Sequence, residues 1–121
     1  MSRPIGPYTP MMRAGDWLVC SGQLGLRSDD GEAPALVSGG VVAQVRQALA
    51  NLADLLAGEG AGLSDVTKVT VFLTDMADYG AVNEAYVDVF GDHRPARSVV
   101  AVAGLPMGAL AEVEAWTYQA R

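Results

Sequence analysis

One arginine stands at the head of the most apolar run in the sequence. Residues 93–106 read HRPARSVVAVAGLP, and Arg97 immediately precedes the valine- and alanine-rich part. Its guanidinium is an obligate cation whose planar fork binds a carboxylate through two hydrogen bonds. Because we expect a strand of this composition to be buried on both faces, the charge needs a partner. Arg97 either pairs with a carboxylate of the protein or binds an anionic ligand, and the pattern leaves both open.

Two glutamates follow at the other end of the chain, two residues apart. Side chains alternate along a strand, so Glu112 and Glu114 share one face while Val113 and Ala115 share the other. Neighbouring carboxylates raise one another's pKa and suit acid–base catalysis. A solvated edge strand is the simpler interpretation of the pattern alone.

Other polar side chains occupy positions where they could contact a ligand. Tyr8 and Ser21 place hydroxyls at the ends of predicted strands, and Asn83 interrupts the inward side of a predicted helix. A buried amide needs hydrogen-bond partners, and a structural role satisfies that need as well as a ligand does. Cys20 is expected to be a small core residue, and His93 an exposed loop residue.

Composition excludes several classes of protein. The net charge of the 121 residues is −6, and no run of Lys or Arg occurs, which argues against a nucleic-acid partner. One cysteine and one histidine leave no intrachain disulfide, exclude most zinc sites and indicate a cytoplasmic protein. No signal peptide is expected at the N-terminus, and no apolar run approaches the roughly 20 residues of a membrane span.

Hydrophobic periodicity predicts one domain over residues 1–121 with seven elements in the order β-β-α-β-α-β-β. Predicted strands cover residues 8–12, 17–21, 64–74, 97–103 and 111–118, and predicted helices cover 41–56 and 79–90. Residues 13–16 form a turn and 26–40 a loop; Ser38 is expected to cap the first helix, and Asp75 or Asp78 the second. On the first helix, Gln44 and Asn51 are expected mostly on the outer side.

This order predicts an α+β fold with one mixed sheet and two helices on one face. The other sheet face is also apolar, and no sequence remains to cover it. A second copy of the chain would cover it, so we expect a homo-oligomer. The alternative is that small side chains such as Ala101 and Ala103 leave only a modestly apolar open face.

An ordered set of short segments resembles the RidA/YjgF/UK114 family of reactive intermediate/imine deaminases. The matches extend over residues 6–116, and each is weak when taken singly. They are Gly6-Pro7-Tyr8, Ser21-Gly22-Gln23, Gly31-Glu32, Asn51-Leu52, VTKVTVFL at 66–73, Val82-Asn83 with Tyr86, Pro95-Ala96-Arg97-Ser98, Leu105-Pro106, and Glu112 with Glu114.

The resemblance implies a chorismate-mutase-like homotrimer with active sites between subunits and no cofactor or metal. It implies hydrolysis of 2-imino acids and their enamine tautomers to 2-oxo acids and ammonia. Arg97 would bind the substrate carboxylate and Glu112 would position or activate water. The remaining pocket positions that it implies are Tyr8, Ser21, Asn83, and the backbone at Gly22 and Val99.

Three features depart from the family pattern. Val99 stands where many members have cysteine, the loop between Phe90 and Pro95 is short, and Ala111 is smaller than the usual aliphatic residue. A non-catalytic trimer that binds small carboxylates, or serves in regulation, is the alternative function. A ribonuclease or chaperone-like role is a third; the acidic balance argues against RNA cleavage.

Overall fold

The computed structural model describes residues 4–29 and 31–120. The strands are β1 (Met11–Ala14), β2 (Trp17–Leu24), β3 (Leu26–Arg27), β4 (Ala35–Leu36), β5 (Val66–Leu73), β6 (Ala96–Ala101) and β7 (Ala111–Tyr118). The α-helices are α1 (Gly40–Ala57) and α2 (Tyr79–Phe90), with short 3-10 helices at Leu63–Asp65, Met76–Asp78 and Pro106–Gly108. Within the described residues, neither α-helix is long and apolar enough to cross a membrane.

Five strands form one mixed sheet in the order β1-β2-β7-β5-β6. The central strand β7 is antiparallel to both β2 and β5, whereas β5 and β6 are parallel and are joined through α2. The short strands β3 and β4 pair separately. The predicted α+β architecture is therefore confirmed.

The core lies between the two helices and one face of this sheet. Alternate residues of β2, β5 and β7 meet the apolar stripes of α1 and α2 in one continuous cluster. Its largest fully buried members are Leu18, Leu49, Leu52, Leu56, Leu73, Val45, Val66, Val69, Val71, Val82 and Val113.

The first hairpin is shifted relative to the prediction. Strand β1 begins at Met11 instead of Tyr8, and Gly15, with φ 61°, lies in a tighter turn before Trp17. Strand β2 continues to Leu24, although the glycine at 22 predicted its end near Ser21. An irregularity in the pairing with β7 between Cys20 and Gln23 absorbs the glycine without ending the strand.

Two amides of α1 are buried, contrary to the prediction that they face outward. Asn51 Nδ2 donates to the carbonyl oxygens of Leu24 (3.2 Å) and Leu26 (2.9 Å), and Gln44 Oε1 accepts from the backbone N–H of Leu110 (2.8 Å). These backbone groups lie where strands end, so they lack ladder partners. The two amides therefore fasten β2 and the segment before β7 to the helix.

The helix caps differ in part from the prediction. Gly39, in the left-handed region, is the N-cap of α1, so Ser38 does not cap it. Asp75 accepts a hydrogen bond from Ala77 N (2.9 Å) and caps the short helix Met76–Asp78, which leads into α2. Asp78 is the N-cap residue of α2 but makes no side-chain capping bond.

Strands β1 and β6 are the edges of the sheet, whereas β7, whose pattern favoured a solvated edge strand, is central. The expectation that β6 is buried on both faces is wrong for the single chain. Val99 packs against the core, whereas Val100 and Ala101 are exposed. Large apolar side chains also cover the sheet face away from the helices, including Met12 (59% exposed) and Trp116 (47%). Coverage of this face by a second copy stays a prediction.

Gly25, which directly follows β2, lies so close to α1 that a mutation can test the contact. A Cβ atom at this residue would lie 2.5 Å from Gln44 Cα and 2.6 Å from its carbonyl oxygen, and helix backbone cannot yield cheaply. We expect Gly25→Ala to lower the free energy of unfolding by about 1–3 kcal/mol. Urea denaturation at fixed protein concentration measures the loss.

The matched control is Gly104→Ala, because a Cβ there meets nothing within 4 Å. Equal stability of the two variants would contradict the close approach.

Candidate active site

Arg97 and Glu112 lie on opposite faces of the sheet. Arg97 pairs with Val69, whose side chain is in the core on the helix side. Glu112 pairs with Phe72, so it shares the opposite, open face. A single chain therefore presents the two predicted catalytic residues in two separate clefts.

The first of these, the glutamate cleft, has a volume of about 220 Å³ and opens on the sheet face away from the helices. It brings together four predicted site residues from three parts of the chain. It is lined by Ile5, Tyr8, Ser21, Gly22, Leu24, Pro106 and Glu112.

Glu112 lies against the irregular part of β2. A Cβ atom on Gly22 would be 2.5 Å from Glu112 Oε1, so any larger residue would displace the carboxylate. Burial raises the pKa of Glu112, and the neighbouring negative charge of Glu114 raises it further. The raised pKa suits a carboxyl group that accepts and then returns a proton.

The segment before β1 positions the tyrosine of this cleft. Ser21 Oγ donates to the carbonyl oxygen of Thr9 (2.7 Å), and Ser21 N donates to that of Pro10 (2.8 Å). Tyr8, whose N–H donates to the carbonyl oxygen of Gly6 (2.9 Å), is exposed at the cleft mouth. Ser21 thus acts on the cleft by holding the chain that carries Tyr8.

The second site, the arginine cleft, has a volume of about 350 Å³ and lies between α2 and β6. It is lined by Asn83, Tyr86, Val87, Arg94, Pro95 and Arg97. It contains two of the predicted site residues, Asn83 and Arg97.

Aromatic rings hold the guanidinium of Arg97. Its Cζ lies 4.8 Å from the ring centroid of Tyr86 and 5.7 Å from that of Tyr79, and Nη2 donates to Tyr79 Oη (3.2 Å). None of the ion pairs among residues 4–29 and 31–120 includes Arg97. The sequence left two explanations open for Arg97. In the described residues it does not pair with a carboxylate of the same chain, so an anionic ligand is the explanation that is left.

Two buried oxygens beside Arg97 lack partners. Asn83 Oδ1 and Tyr86 Oη have no hydrogen-bond partner within the described chain. Leaving such groups unsatisfied costs about 1–3 kcal/mol each, so both favour a polar ligand. Burial raises the pKa of Tyr86, an effect that the positive charges of Arg97 and Arg94 oppose, and the hydroxyl stays protonated at neutral pH.

Three other residues singled out from the sequence lie outside both clefts. Val99 shares the face of Arg97 but packs against the core. Burial raises the pKa of Cys20 to about 11, so its thiol is not a nucleophile at neutral pH. His93 is half-buried instead of exposed; its Nε2 lies 2.7 Å from the carbonyl oxygen of Val66.

No group of three or more potential metal ligands occurs in the portion that the structure describes.

The sequence did not indicate the roles of Tyr79 and Tyr86. The apolar periodicity of α2 includes both residues and so favours burial of their rings, yet Tyr79 is 41% exposed and both rings contact Arg97. Their spacing of seven residues puts them on one helix face, and this is the only signal that the sequence contains. Arg94 was likewise missed, since nothing in the loop pattern places it beside Arg97.

The two clefts have complementary chemistry. The arginine cleft offers a planar cation and the unpaired hydroxyl of Tyr86 as hydrogen-bond donors, which suit a small carboxylate. The glutamate cleft offers a carboxyl with a raised pKa beside hydroxyl groups, which suits proton transfer to and from water.

Comparisons with known proteins agree with this fold. The family model described as "Endoribonuclease L-PSP" matches residues 1–119. The mouse 2-iminobutanoate/2-iminopropanoate deaminase is 43% identical over 115 residues, which is 95% of this chain and 83% of that protein.

Two solved structures from E. coli superpose closely. The YjgF gene product gives a TM-score of 0.85 at 37% identity, covering 97% of this chain and 91% of that one. TdcF with bound serine gives 0.86 at 34% identity, covering 98% and 93%. With a family model that spans nearly all of its length and relatives of this similarity, the chain belongs to the RidA/YjgF/UK114 family.

Proposed function

We propose that the protein is a hydrolytic deaminase that converts 2-imino acids and their enamine tautomers to 2-oxo acids and ammonia. The observation that carries the proposal is that Arg97 has no ion pair among the described residues. Its guanidinium lies against aromatic rings, and the Tyr86 hydroxyl beside it is a hydrogen-bond donor without a partner in the described chain. Both groups favour a carboxylate ligand. A relative at 43% identity is named as a deaminase of this type.

The reaction needs orientation and one proton relay. Arg97 binds the substrate carboxylate, which fixes the imine carbon beside it. Glu112 removes a proton as a water oxygen forms a bond to that carbon. With the imine nitrogen protonated at the start, this addition gives a neutral carbinolamine. Glu112 then returns its proton to the nitrogen, and the C–N bond breaks as the hydroxyl oxygen forms the C=O bond and loses its proton to Glu112. A 2-oxo acid and ammonia leave, and Glu112 releases the remaining proton to solvent.

A second copy of the chain is needed to bring these residues together. Arg97 and Glu112 lie on opposite faces of one sheet, so one subunit would supply its arginine cleft and a neighbour its glutamate cleft. The exposed apolar face that contains Met12 and Trp116 provides the surface for contact. We propose the homotrimer that the family resemblance implies, and a cytoplasmic location in keeping with a single buried cysteine.

A carboxylate-binding protein without turnover is the second candidate. The arginine cleft favours it equally, because Arg97 would serve binding and catalysis in the same way. TdcF, a relative, has been crystallised with bound serine. Hydrolysis by the wild-type chain separates the candidates: the first predicts hydrolysis that Glu112→Gln abolishes, and the second predicts none. Binding of 2-oxo acids depends on Arg97 under both.

Removal of Arg97 tests the substrate contact. We expect Arg97→Ala to lower kcat/KM for 2-iminopropanoate about 100-fold or more, because two charge-assisted hydrogen bonds are lost. Arg97→Lys should recover only part of the activity, since it keeps the charge without the fork. Rates of imine loss measure the effect.

Arg46→Ala is the matched control, because Arg46 is an exposed arginine whose partner is Asp88 at 2.7 Å. An Arg97→Ala variant as active as this control would refute the proposed mechanism.

Mixing two inactive variants tests whether the site is shared between subunits. Arg97→Ala keeps a working Glu112, and Glu112→Gln keeps a working Arg97. After unfolding and refolding together in equal amounts, about a quarter of the interfaces should unite both native residues and regain activity. If the mixture stays inactive while it assembles normally, both residues must come from the same subunit or the roles are wrong.

The charge of Glu114 should be visible in the pH profile. Its negative charge is a cause of the raised pKa of Glu112, so Glu114→Gln should lower that pKa. Glu112 acts in its ionised form, so activity falls as pH drops through its pKa. The acid limb of the kcat/KM profile should therefore move to lower pH in Glu114→Gln.

Glu32→Gln, a change at an exposed loop residue, should leave the acid limb in place. A shift to higher pH in Glu114→Gln would contradict the assignment of Glu112.

A further inference from the structure

A second arginine lines the arginine cleft. Arg94 lies in the loop between α2 and β6, three residues before Arg97, and both side chains border the same cleft. Three residues of chain span at most about 11 Å, so the two cations start from neighbouring positions on one wall. The short loop between Phe90 and Pro95 therefore delivers an additional positive charge to the place where Arg97 is held.

No carboxylate of the described chain neutralises either cation. Three other arginines of the described chain form ion pairs, namely Arg13 with Glu59, Arg27 with Asp29 and Arg46 with Asp88. The lining of the arginine cleft includes no acidic residue among those described. In a protein of net charge −6, two cations left without acids in one cleft mark a local site for anions.

The acidic residue nearest to Arg94 in the chain is Asp92, which is exposed, does not line the arginine cleft and forms no ion pair among the described residues. Two further acidic residues, on α2, face an adjacent groove. Glu84 and Asp88 line that groove with Asn83 and Val87, and Asp88 is already paired with Arg46 at 2.7 Å. Glu84 is exposed and forms no ion pair in the described residues. The α2 acids therefore leave Arg94 with its full charge.

The hydrogen bonds of Arg94 to the described residues involve only one nitrogen of its guanidinium group. Nη1 donates to the carbonyl oxygens of Gly91 and His93, which lie just beyond the end of α2. This satisfies carbonyl groups near the helix C-terminus, where a cation is favourable. Nε and Nη2 make no hydrogen bond to the described residues, so a helix-end role and an anion-binding role are compatible.

Both arginines act on the same buried hydroxyl. The positive charges of Arg97 and Arg94 each oppose the rise that burial causes in the pKa of Tyr86. Tyr86 therefore lies within the electrostatic influence of both guanidinium groups, and its Oη has no hydrogen-bond partner in the described residues.

We propose that Arg94 forms a second anion subsite in the arginine cleft, and that the enzyme accepts 2-imino acids carrying a second carboxylate. Arg97 would bind the carboxylate next to the imine carbon, and Arg94 the carboxylate at the end of the substrate side chain. This inference rests on the proposed function, because it assigns the substrate class of that same site. The reaction that supplies such a substrate would be an oxidation or elimination that releases an imine from an acidic amino acid.

A comparison of two imines tests the subsite. The imines of glutamate and of 2-aminobutyrate are generated in place by amino acid oxidases, and kcat/KM is measured for each with the full chain. We expect Arg94→Gln to lower kcat/KM for the glutamate imine about tenfold, because a charge-assisted contact is lost. The value for the 2-aminobutyrate imine should change less than about twofold, because that substrate has no second carboxylate. Arg94→Lys should retain much of the glutamate imine activity.

The matched control is Arg27→Gln, which removes an exposed arginine whose partner is Asp29 at 3.3 Å and which lines neither cleft. It should leave the ratio of the two kcat/KM values unchanged. An equal fall for both imines in Arg94→Gln would show a purely structural role and overturn the proposal, as would no fall for either.

Failure of the subsite and failure of the deaminase function give different results. If the wild-type chain hydrolyses neither imine, the deaminase proposal fails, and the subsite is judged by calorimetric binding of 2-oxoglutarate and 2-oxobutanoate. Under the proposal, Arg94→Gln then weakens binding of 2-oxoglutarate about tenfold and that of 2-oxobutanoate little. Equal affinities of the variant and wild type for 2-oxoglutarate would overturn the subsite.

Discussion

Strand β7 pairs with β2 on one side and β5 on the other, and the alternation of its side chains divides the molecule into two faces. Its inward residues, Ala111, Val113 and Ala115, are fully buried under the helices. Glu112 and Glu114 must then point to the open face. A slip of one residue would bury both carboxylates in the core, so hydrophobic burial fixes the register and thereby the position of the candidate catalytic group.

The same constraint separates Arg97 from Glu112. Arg97 pairs beside Val69 on the helix face, while Glu112 belongs to the opposite face. Each cleft is chemically incomplete by itself, since one has the cations and the other has the carboxyl with a raised pKa. The proposed deaminase reaction therefore requires two subunits at each site, and the apolar open face is the surface that the proposal assigns to their contact.

Electrostatics in the arginine cleft follow from what surrounds the two cations. Tyr79 and Tyr86 hold Arg97 by ring contacts and one hydrogen bond, without neutralising it. Carbonyl groups at the end of α2 hold Arg94 in the same manner. Neutral partners orient a guanidinium while leaving its charge for a ligand, whereas a carboxylate partner would consume that charge. The cleft is thus prepared for anions before any anion binds.

The sequence by itself determined the order of the five strands of the main sheet and of the two α-helices, and it placed Glu112 and Val113 on opposite faces of one strand. It did not indicate β3 and β4, which lie within the predicted loop over residues 26–40. Periodicity of two or 3.6 residues is a local property, so it can be read from the chain alone. The family resemblance rested on short motifs in order, and the whole-chain comparisons confirmed it. Which strand is at the edge was decided only by the tertiary structure, because β6 has the apolar composition of a buried strand.

Tertiary structure also decided where single polar groups go. Asn51 and Gln44 turned inward because strand ends and loops left backbone groups that needed partners there. Gly22 proved to be a place where the Glu112 carboxylate packs on backbone, and Gly25 a place where a helix does. Arg94 lies in the same cleft as Arg97, whereas Arg97 and Glu112 lie on opposite faces of the sheet. These positions follow from how the sheet and the helices pack. Local spacing along the chain contains no record of that packing.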